Sequence, residues 1–418
     1  MLRKKFVKYN HRPIELAVFF DQPLHSGGGF QQSINILFAL RKIPNKVAKV
    51  KVITNSKLNA EILSDYGIDA QVLKITFFDK FIINIRNSFL NKRISKTIKY
   101  LFGYNKFEDF FIKRKVDLIY FISPCRYSEY LDEINFILTV WDLCHIDHPE
   151  FPEVREHKEF EIRENYYKKS LKKSIAVIVE SEIGKQKVIE QYGVKPERCA
   201  IIDLFPSKAI LSENALVKIE KMIDVRKKFN VKYPYIFYPA QFWPHKNHSY
   251  LLEGIKVLEK YYNKKISVIF SGSDRGNMNF IKEKVAKLDL TSRVHFIGFV
   301  ANSEIASIYQ QAIALVMPTY FGPTNIPPLE AFYLGTPVLY SNLPEFKTQA
   351  NKAALFMDLE DPKSMAKHLN LLLRDKNKRK ELISLGKLEV KKYRISNNVE
   401  SLILIIKKFS RKKAAWSF

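Results

Sequence analysis

The stretch VMPTYFGPTNIPPLEAFYLGTPVLYSN, residues 316–342, decides how the rest of the chain is read. Ala314 to Met317 is an apolar run of strand type, Pro318 to Asn325 is loop chemistry, and Pro327 and Pro328 suit the first turn of a helix carrying Leu329, Glu330, Ala331 and Phe332. Gly335-Thr336-Pro337 stops that helix, and Val338 to Tyr340 reads as the next strand, which completes a unit of the doubly wound kind. A helix that starts at the carboxyl end of a parallel strand favours anions, through free N–H groups and the positive end of its dipole. The segment therefore predicts a nucleotide site, with the diphosphate at Ile326 and ribose hydroxyls donating to Glu330 one turn further on.

The same alternation of short apolar runs and helical patterns continues in both directions. Strands are predicted at Ile14 to Phe20, Val50 to Thr54, Val72 to Ile75, Leu118 to Ile122, Phe136 to Val140, Ile175 to Val179 and Ala200 to Leu204. A second set covers Tyr235 to Tyr238, Ser267 to Ser271, Val294 to Ile297, Ala314 to Met317, Val338 to Tyr340 and Ala354 to Phe356. This pattern belongs to α/β proteins with helix-covered parallel sheets, and 418 residues exceed what one core usually supports. Two Rossmann-like domains are expected, at 1–206 and 207–394, with a linker and an entry helix in the lysine-dense passage Pro206 to Pro234. Three widely spaced cysteines give neither a disulfide framework nor a zinc spacing, so a cytoplasmic protein is expected. The apolar run from Ile14 to Phe20 is too short for a signal core or a membrane span.

The formal net charge is +26, which speaks of partners and not of fold. Cations concentrate between Lys80 and Lys115, interleaved with Phe77, Phe81, Ile85, Phe89, Ile94, Ile98 and Phe102. A basic amphipathic surface of this kind suits anionic lipid headgroups, and no nucleic-acid recognition motif accompanies it. The alternative is that these apolar residues form the inner faces of ordinary helices and the lysines are solvated.

Three further constellations carry chemistry. After the first strand, Ser26-Gly27-Gly28-Gly29-Phe30 lets backbone N–H groups approach a phosphate at Gly28 and Gly29, or else makes a tight turn. In Tyr235-Ile-Phe-Tyr-Pro-Ala-Gln-Phe-Trp-Pro-His-Lys-Asn, Lys246 stands just past a strand, where a fixed cation can neutralise a leaving diphosphate. In Val140-Trp-Asp-Leu-Cys-His-Ile-Asp-His, Asp142 and His145 are candidates for contacts to sugar or acceptor hydroxyls, or the histidines merely organise a loop closed by prolines. Two imidazoles three apart with no further ligand pattern make a weak case for a metal.

With these motifs in place, the chain resembles retaining glycosyltransferases of family 4, of the GT-B type. That family usually reads P-S-x-x-E-G-F-G-x-P-x-x-E-A-x-A-x-G-x-P-V, and PTYFGPTNIPPLEAFYLGTPV matches it imperfectly, keeping Glu330 but with Gly322 in place of the first glutamate. The family's G-R-x-x-x-x-K-[GN] is met by Lys246 and Asn247, with Gln241 in place of the arginine. Its T-x-H-D is met by Asp142, with Trp141 before it. The resemblance implies two domains facing across a cleft and a last helix, 395–418, crossing back to the first domain. It further implies the glycine loop on the donor diphosphate, the nucleobase near Phe299 and Val300, and Thr324 and Asn325 beside the hexose. A nucleotide-sugar donor, transfer without a metal cofactor and retention at the anomeric carbon follow from the same source. A lipid-diphosphate-linked glycan as acceptor would bring the enzyme to the inner face of the cytoplasmic membrane, in lipopolysaccharide or other surface-polysaccharide assembly. A GT-B scaffold that has lost its catalytic groups is the alternative.

Overall fold

The computed structural model describes residues 12–23, 28–76, 79, 106–211 and 222–416. Seven strands form the first sheet: β1 (Ile14–Phe20), β2 (Ala48–Thr54), β3 (Ala70–Val72), β4 (Leu118–Phe121), β5 (Asn135–Thr139), β6 (Ala176–Val179) and β7 (Cys199–Ile201). Six form the second: β8 (Tyr235–Pro239), β9 (Ser267–Ser271), β10 (Val294–Phe296), β11 (Leu315–Met317), β12 (Val338–Ser341) and β13 (Ala354–Met357). Every pairing is parallel, in the orders β3-β2-β1-β4-β5-β6-β7 and β10-β9-β8-β11-β12-β13. Parallel strands are covered on both faces, which is why β4 reads LIYF and β6 reads AVIV with every residue buried.

In each sheet the winding direction reverses once, between β1 and β4 and between β8 and β11. Ligands of open α/β sheets bind outside the carboxyl ends of strands at such points. The helix Gly28–Leu40 follows β1, the turn Pro244–Lys246 follows β8, and the helix Ile326–Leu334 follows β11. The topology thus delivers all three to reversal points.

The chain crosses between domains in a short span. Ile202 packs in the core beneath β1 and β4, whereas Leu204 and Ile210 pack in the second domain's core. The last helix, Ile395–Lys413, makes the return crossing: Leu402, Ile406 and Phe409 are buried against the first sheet. Its first turn is tied to the outward crossing, where the Asn398 amide donates to the Asp203 carbonyl at 2.8 Å. At its far end Lys413 lies 3.2 Å from Asp117, which also takes a bidentate Arg12 pair at 2.8 and 2.9 Å.

Most of the basic amphipathic segment, 80–105, lies outside the described residues, and so do its named apolar members. Its described end, Lys106–Ile112, buries Phe107 and Phe111 in the first core, while Lys113, Arg114 and Lys115 are exposed. No helix among the described residues is long and apolar enough to cross a membrane.

Leu402 is fully buried, so Leu402→Ala should cost about 2–5 kcal/mol. The loss of amide protection, read by hydrogen exchange, is expected in β1 and β4 and not in β8 to β13.

Candidate active site

A cleft of about 530 Å³ separates the two sheets and is lined from both domains. From the second domain come Gln241, Lys246, Phe299, Val300, Thr324, Asn325, Ile326 and Glu330, and from the first come Gly29, Gln32, Trp141, Asp142 and Glu180.

Lys246 ends the turn after β8 and is partly buried. Its ammonium makes no hydrogen bond or ion pair among the described residues. Burial pushes its pKa down to about 8, against the pull of Asp142 and Glu153. A desolvated cation without a fixed counterion invites an anionic ligand.

Glu330 sits one turn into its helix and is buried. Tyr309 Oη donates to one oxygen at 2.9 Å, and the Ser207 backbone N–H to the other at 3.4 Å. Burial raises its pKa, and these donors oppose the rise. They fix the carboxylate while leaving lone pairs for a ligand at the cleft.

The helix start itself offers less than the sequence pattern promises. Asn325 is the cap and its N–H is taken by Gln349 Oε1 at 3.1 Å, while Pro327 and Pro328 have no N–H. Ile326 N–H is the single group left free by intrahelical geometry in the first turn. The dipole remains, so Lys246 must carry more of a bound diphosphate's charge. The helix Gly28–Leu40 reaches the opposite wall, where Gly29 lines the cleft. At Gly29 the close approach is made by the Trp141 indole, 2.6 Å from where a Cβ would stand. Residues 24–27 of that loop lie outside the described residues.

Asp142 reaches the cleft after β5. Burial would raise its pKa, but Arg163 at 3.1 Å and the Cys144 hydrogen bonds outweigh it and hold the carboxylate ionised. Gln241 also faces the cleft, with Nε2 donating to Ser273 Oγ at 3.0 Å and Oε1 accepting from Trp243 at 3.2 Å. Phe299 is exposed at the rim, with Val300 behind it.

Two expectations from sequence change, and two others gain partners of their own. His145 does not face the cleft: it is fully buried, 3.2 Å from Glu164 and 3.4 Å from Tyr192, because the short helix Cys144–Asp147 turns it inward. Asn247 caps the helix His248–Tyr262 through Tyr250 N–H at 3.3 Å from a left-handed conformation, and it does not line the cleft. Asn325 lines the cleft but spends its amide on Tyr340 Oη at 2.6 Å. Thr324 donates to Glu180 at 2.8 Å, so it holds a carboxylate across the domain interface. The residues His145, Asp147 and His148 go separate ways: Asp147 pairs with Lys187 at 2.7 Å and His148 stacks on Phe321 at 5.3 Å. Among the described residues no group of three or more His, Cys, Asp and Glu side chains is placed to hold a metal ion.

Further contacts clasp the domains together. Phe151 packs on Tyr320 and Phe321, both at 5.4 Å, and Lys187 reaches Glu345 at 3.3 Å. Glu153 accepts from the His245 backbone N–H at 3.2 Å and is also bonded to its ring Nδ1. Glu180 was not a sequence candidate. Its one signal is an acidic residue placed directly after a fully buried strand.

Two parallel-sheet domains with a shared cleft define the GT-B fold. Solved structures agree over nearly the whole length: a glycosyltransferase from Rickettsia africae (TM-score 0.68, 15% identity, 95% of this chain and 98% of that one) and Anabaena HepE in complex with UDP-glucose (0.68, 14%, 96% and 100%). Residues 220–389 match the family model described as glycosyl transferases group 1. Similar sequences include the O-antigen chain mannosyltransferase RfbU of Salmonella typhimurium, 29% identical over 47% of this chain and 50% of that protein. The O-antigen chain mannosyltransferase B of Escherichia coli is 21% identical over 56% and 62%. The chain thus spans between half and two thirds of the length of these two relatives.

Lys246 must be protonated to hold a diphosphate, and its pKa is about 8 without ligand. Nucleoside diphosphate affinity, measured by calorimetry, is therefore expected to fall as pH rises through 8. Lys246→Met should weaken binding at pH 7 by about 2–4 kcal/mol and remove the lysine's share of that fall. Glu330→Gln should weaken binding with little effect on the melting temperature.

Proposed function

We propose that this chain transfers a hexose from a nucleotide sugar to a hydroxyl of a lipid-linked glycan, in the assembly of O-antigen or a similar surface polysaccharide. The observation that carries the reading is the unpaired Lys246 ammonium facing the Ile326 helix start and Glu330 in one interdomain cleft. The names of the mannosyltransferase relatives make an activated mannose the first donor to test, and the UDP-glucose complex of a GT-B neighbour makes UDP-glucose the second.

In this reaction the bond from the anomeric carbon to the donor phosphate breaks, and a bond to the acceptor oxygen forms on the same face. The acceptor proton passes to the departing phosphate oxygen. Lys246, the Ile326 N–H and the Gly28 helix start stabilise the charge on that phosphate, so no metal cofactor is needed. Product is expected from a panel of nucleotide sugars with a lipid-diphosphate-linked acceptor, undiminished by chelator and with retained anomeric configuration. Gly322 and Gln241 stand where the family carries a glutamate and an arginine, and they favour one other reading, a scaffold that binds nucleotide without transfer. Tight nucleotide binding with no product from any donor would establish it.

The acceptor's lipid would place the enzyme at the inner face of the cytoplasmic membrane, with the Lys80 to Lys115 segment against anionic headgroups. Each cation near such a surface contributes roughly 1 kcal/mol, screened by salt. Changing Lys92, Arg93, Lys96 and Lys99 together to glutamine is expected to release the protein from anionic vesicles in sedimentation while sparing nucleotide binding. Unchanged sedimentation would remove this face from the membrane reading.

A further inference from the structure

Glu180 is a carboxylate in the cleft that no motif announces. It directly follows β6, so it stands at the carboxyl edge of the first sheet, and it is 6% exposed. Gln32 Nε2, on the helix after β1, donates to Oε1, and Thr324 Oγ1, on the loop of the second domain, donates to Oε2 at 2.8 Å. Glu180 lines both the main cleft and a smaller adjoining cavity of about 230 Å³, which it shares with Trp141, Asp142 and Gly322.

Structure alone does not account for an ionisable group here. Burying a carboxylate is unfavourable unless a cation compensates it. No cation contacts Glu180 among the described residues, and the charge it feels is that of Asp142, of the same sign. Burial pushes its pKa up to about 8. Bridging Gln32 to Thr324 would be done as well by a neutral amide.

The neighbouring loop gives the reason for the placement. Gly322 has φ +130°, a conformation that side chains rarely adopt, so no carboxylate can readily be supplied from that position of the second domain. Thr324, two residues on in the same loop, is the residue that meets Glu180. At this loop the second domain therefore supplies no carboxylate, and the one that meets it comes from the first domain.

We propose that Glu180 holds the transferred sugar, its two oxygens accepting hydrogen bonds from hydroxyls of the hexose, with Gln32 and Thr324 as positioning residues. Each oxygen takes one protein donor and keeps a lone pair for a ligand. The inference rests on the glycosyl-transfer reading and adds which residue reads the sugar. Because Glu180 belongs to the first domain and Lys246 and Glu330 to the second, the main grip on the nucleotide comes from one domain and the contact to the sugar from the other. Sugar recognition then requires both domains to be together.

Calorimetry and steady-state kinetics on the full chain test this, comparing wild type, Glu180→Gln and Thr324→Val. Glu180→Gln is isosteric and is expected to keep wild-type melting temperature and nucleoside diphosphate affinity within twofold. Its affinity for the matching nucleotide sugar should fall about tenfold or more, with a higher donor KM, and Thr324→Val should shift the same ratio less. Nucleotide-sugar affinity and KM within twofold of wild type would overturn the sugar contact. An equal fall for nucleotide diphosphate and nucleotide sugar would overturn it too, since the defect would then be structural. If wild type binds no nucleotide sugar at all, the glycosyl-transfer reading fails first and takes this inference with it.

Discussion

Because every strand pairing in both sheets is parallel, each sheet sends its ligand-facing loops to a single edge. The cleft then depends on those two edges meeting, and the contact between Glu153 and His245 shows how closely they do. Around it, Phe151 and His148 of one domain pack on Phe321 of the other. Burial pushes the His245 pKa down to about 4, even against the adjacent carboxylate, so near neutral pH this clasp is a hydrogen bond between a carboxylate and a neutral ring. That contact lets groups from remote parts of the chain, such as Lys246 and Asp142, face one ligand.

The strand framework was legible because buried parallel strands announce themselves as short β-branched and aromatic runs. Ile14–Phe20 and Ser267–Ser271 occupy the positions read from the sequence. At β7 the reading ran too far, to Leu204, because the apolar run continues after the chain has left one core for the other. Among site residues, Lys246 and Glu330 could be picked out because a short distance along the chain from a strand end fixes where they emerge. His145 and Asn247 sit as near to strand ends, yet their side chains turn away, one into the core and one onto a helix cap. Direction of that kind is set by local turns and packing, which spacing does not encode. Glu180 meets Gln32 and Thr324 at separations of 148 and 144 residues, contacts that only the assembled domains create.

The departures from the family pattern shift the electrostatics of the cleft in a consistent direction. Gln241 is neutral and already engaged, and Pro328 withdraws an N–H from the helix start, so positive potential on the second domain's side of the cleft is concentrated on Lys246. The second domain has likewise no carboxylate at position 322, while the first brings Glu180 and the ionised Asp142 to the same region. Carboxylates of both domains thus line that region, Glu180 and Asp142 from the first and Glu345 from the second.

The bond from Asn398 to Asp203 has a mechanical meaning. The chain passes between the domains twice, and at this bond the two passages touch. Two tethers far apart would lock the halves against one another, but two that meet behave as one pivot. The low-energy relative motion is then rotation about that point, with the aromatic and ionic clasp at the cleft as the part that separates. Torsion of one half against the other would have to break the Asn398 bond or pull Leu402 and Ile406 from beneath the first sheet. The molecule is thus built as a pair of jaws, and the pivot at Asp203 adjoins Leu204 and Ser207, which line the cleft.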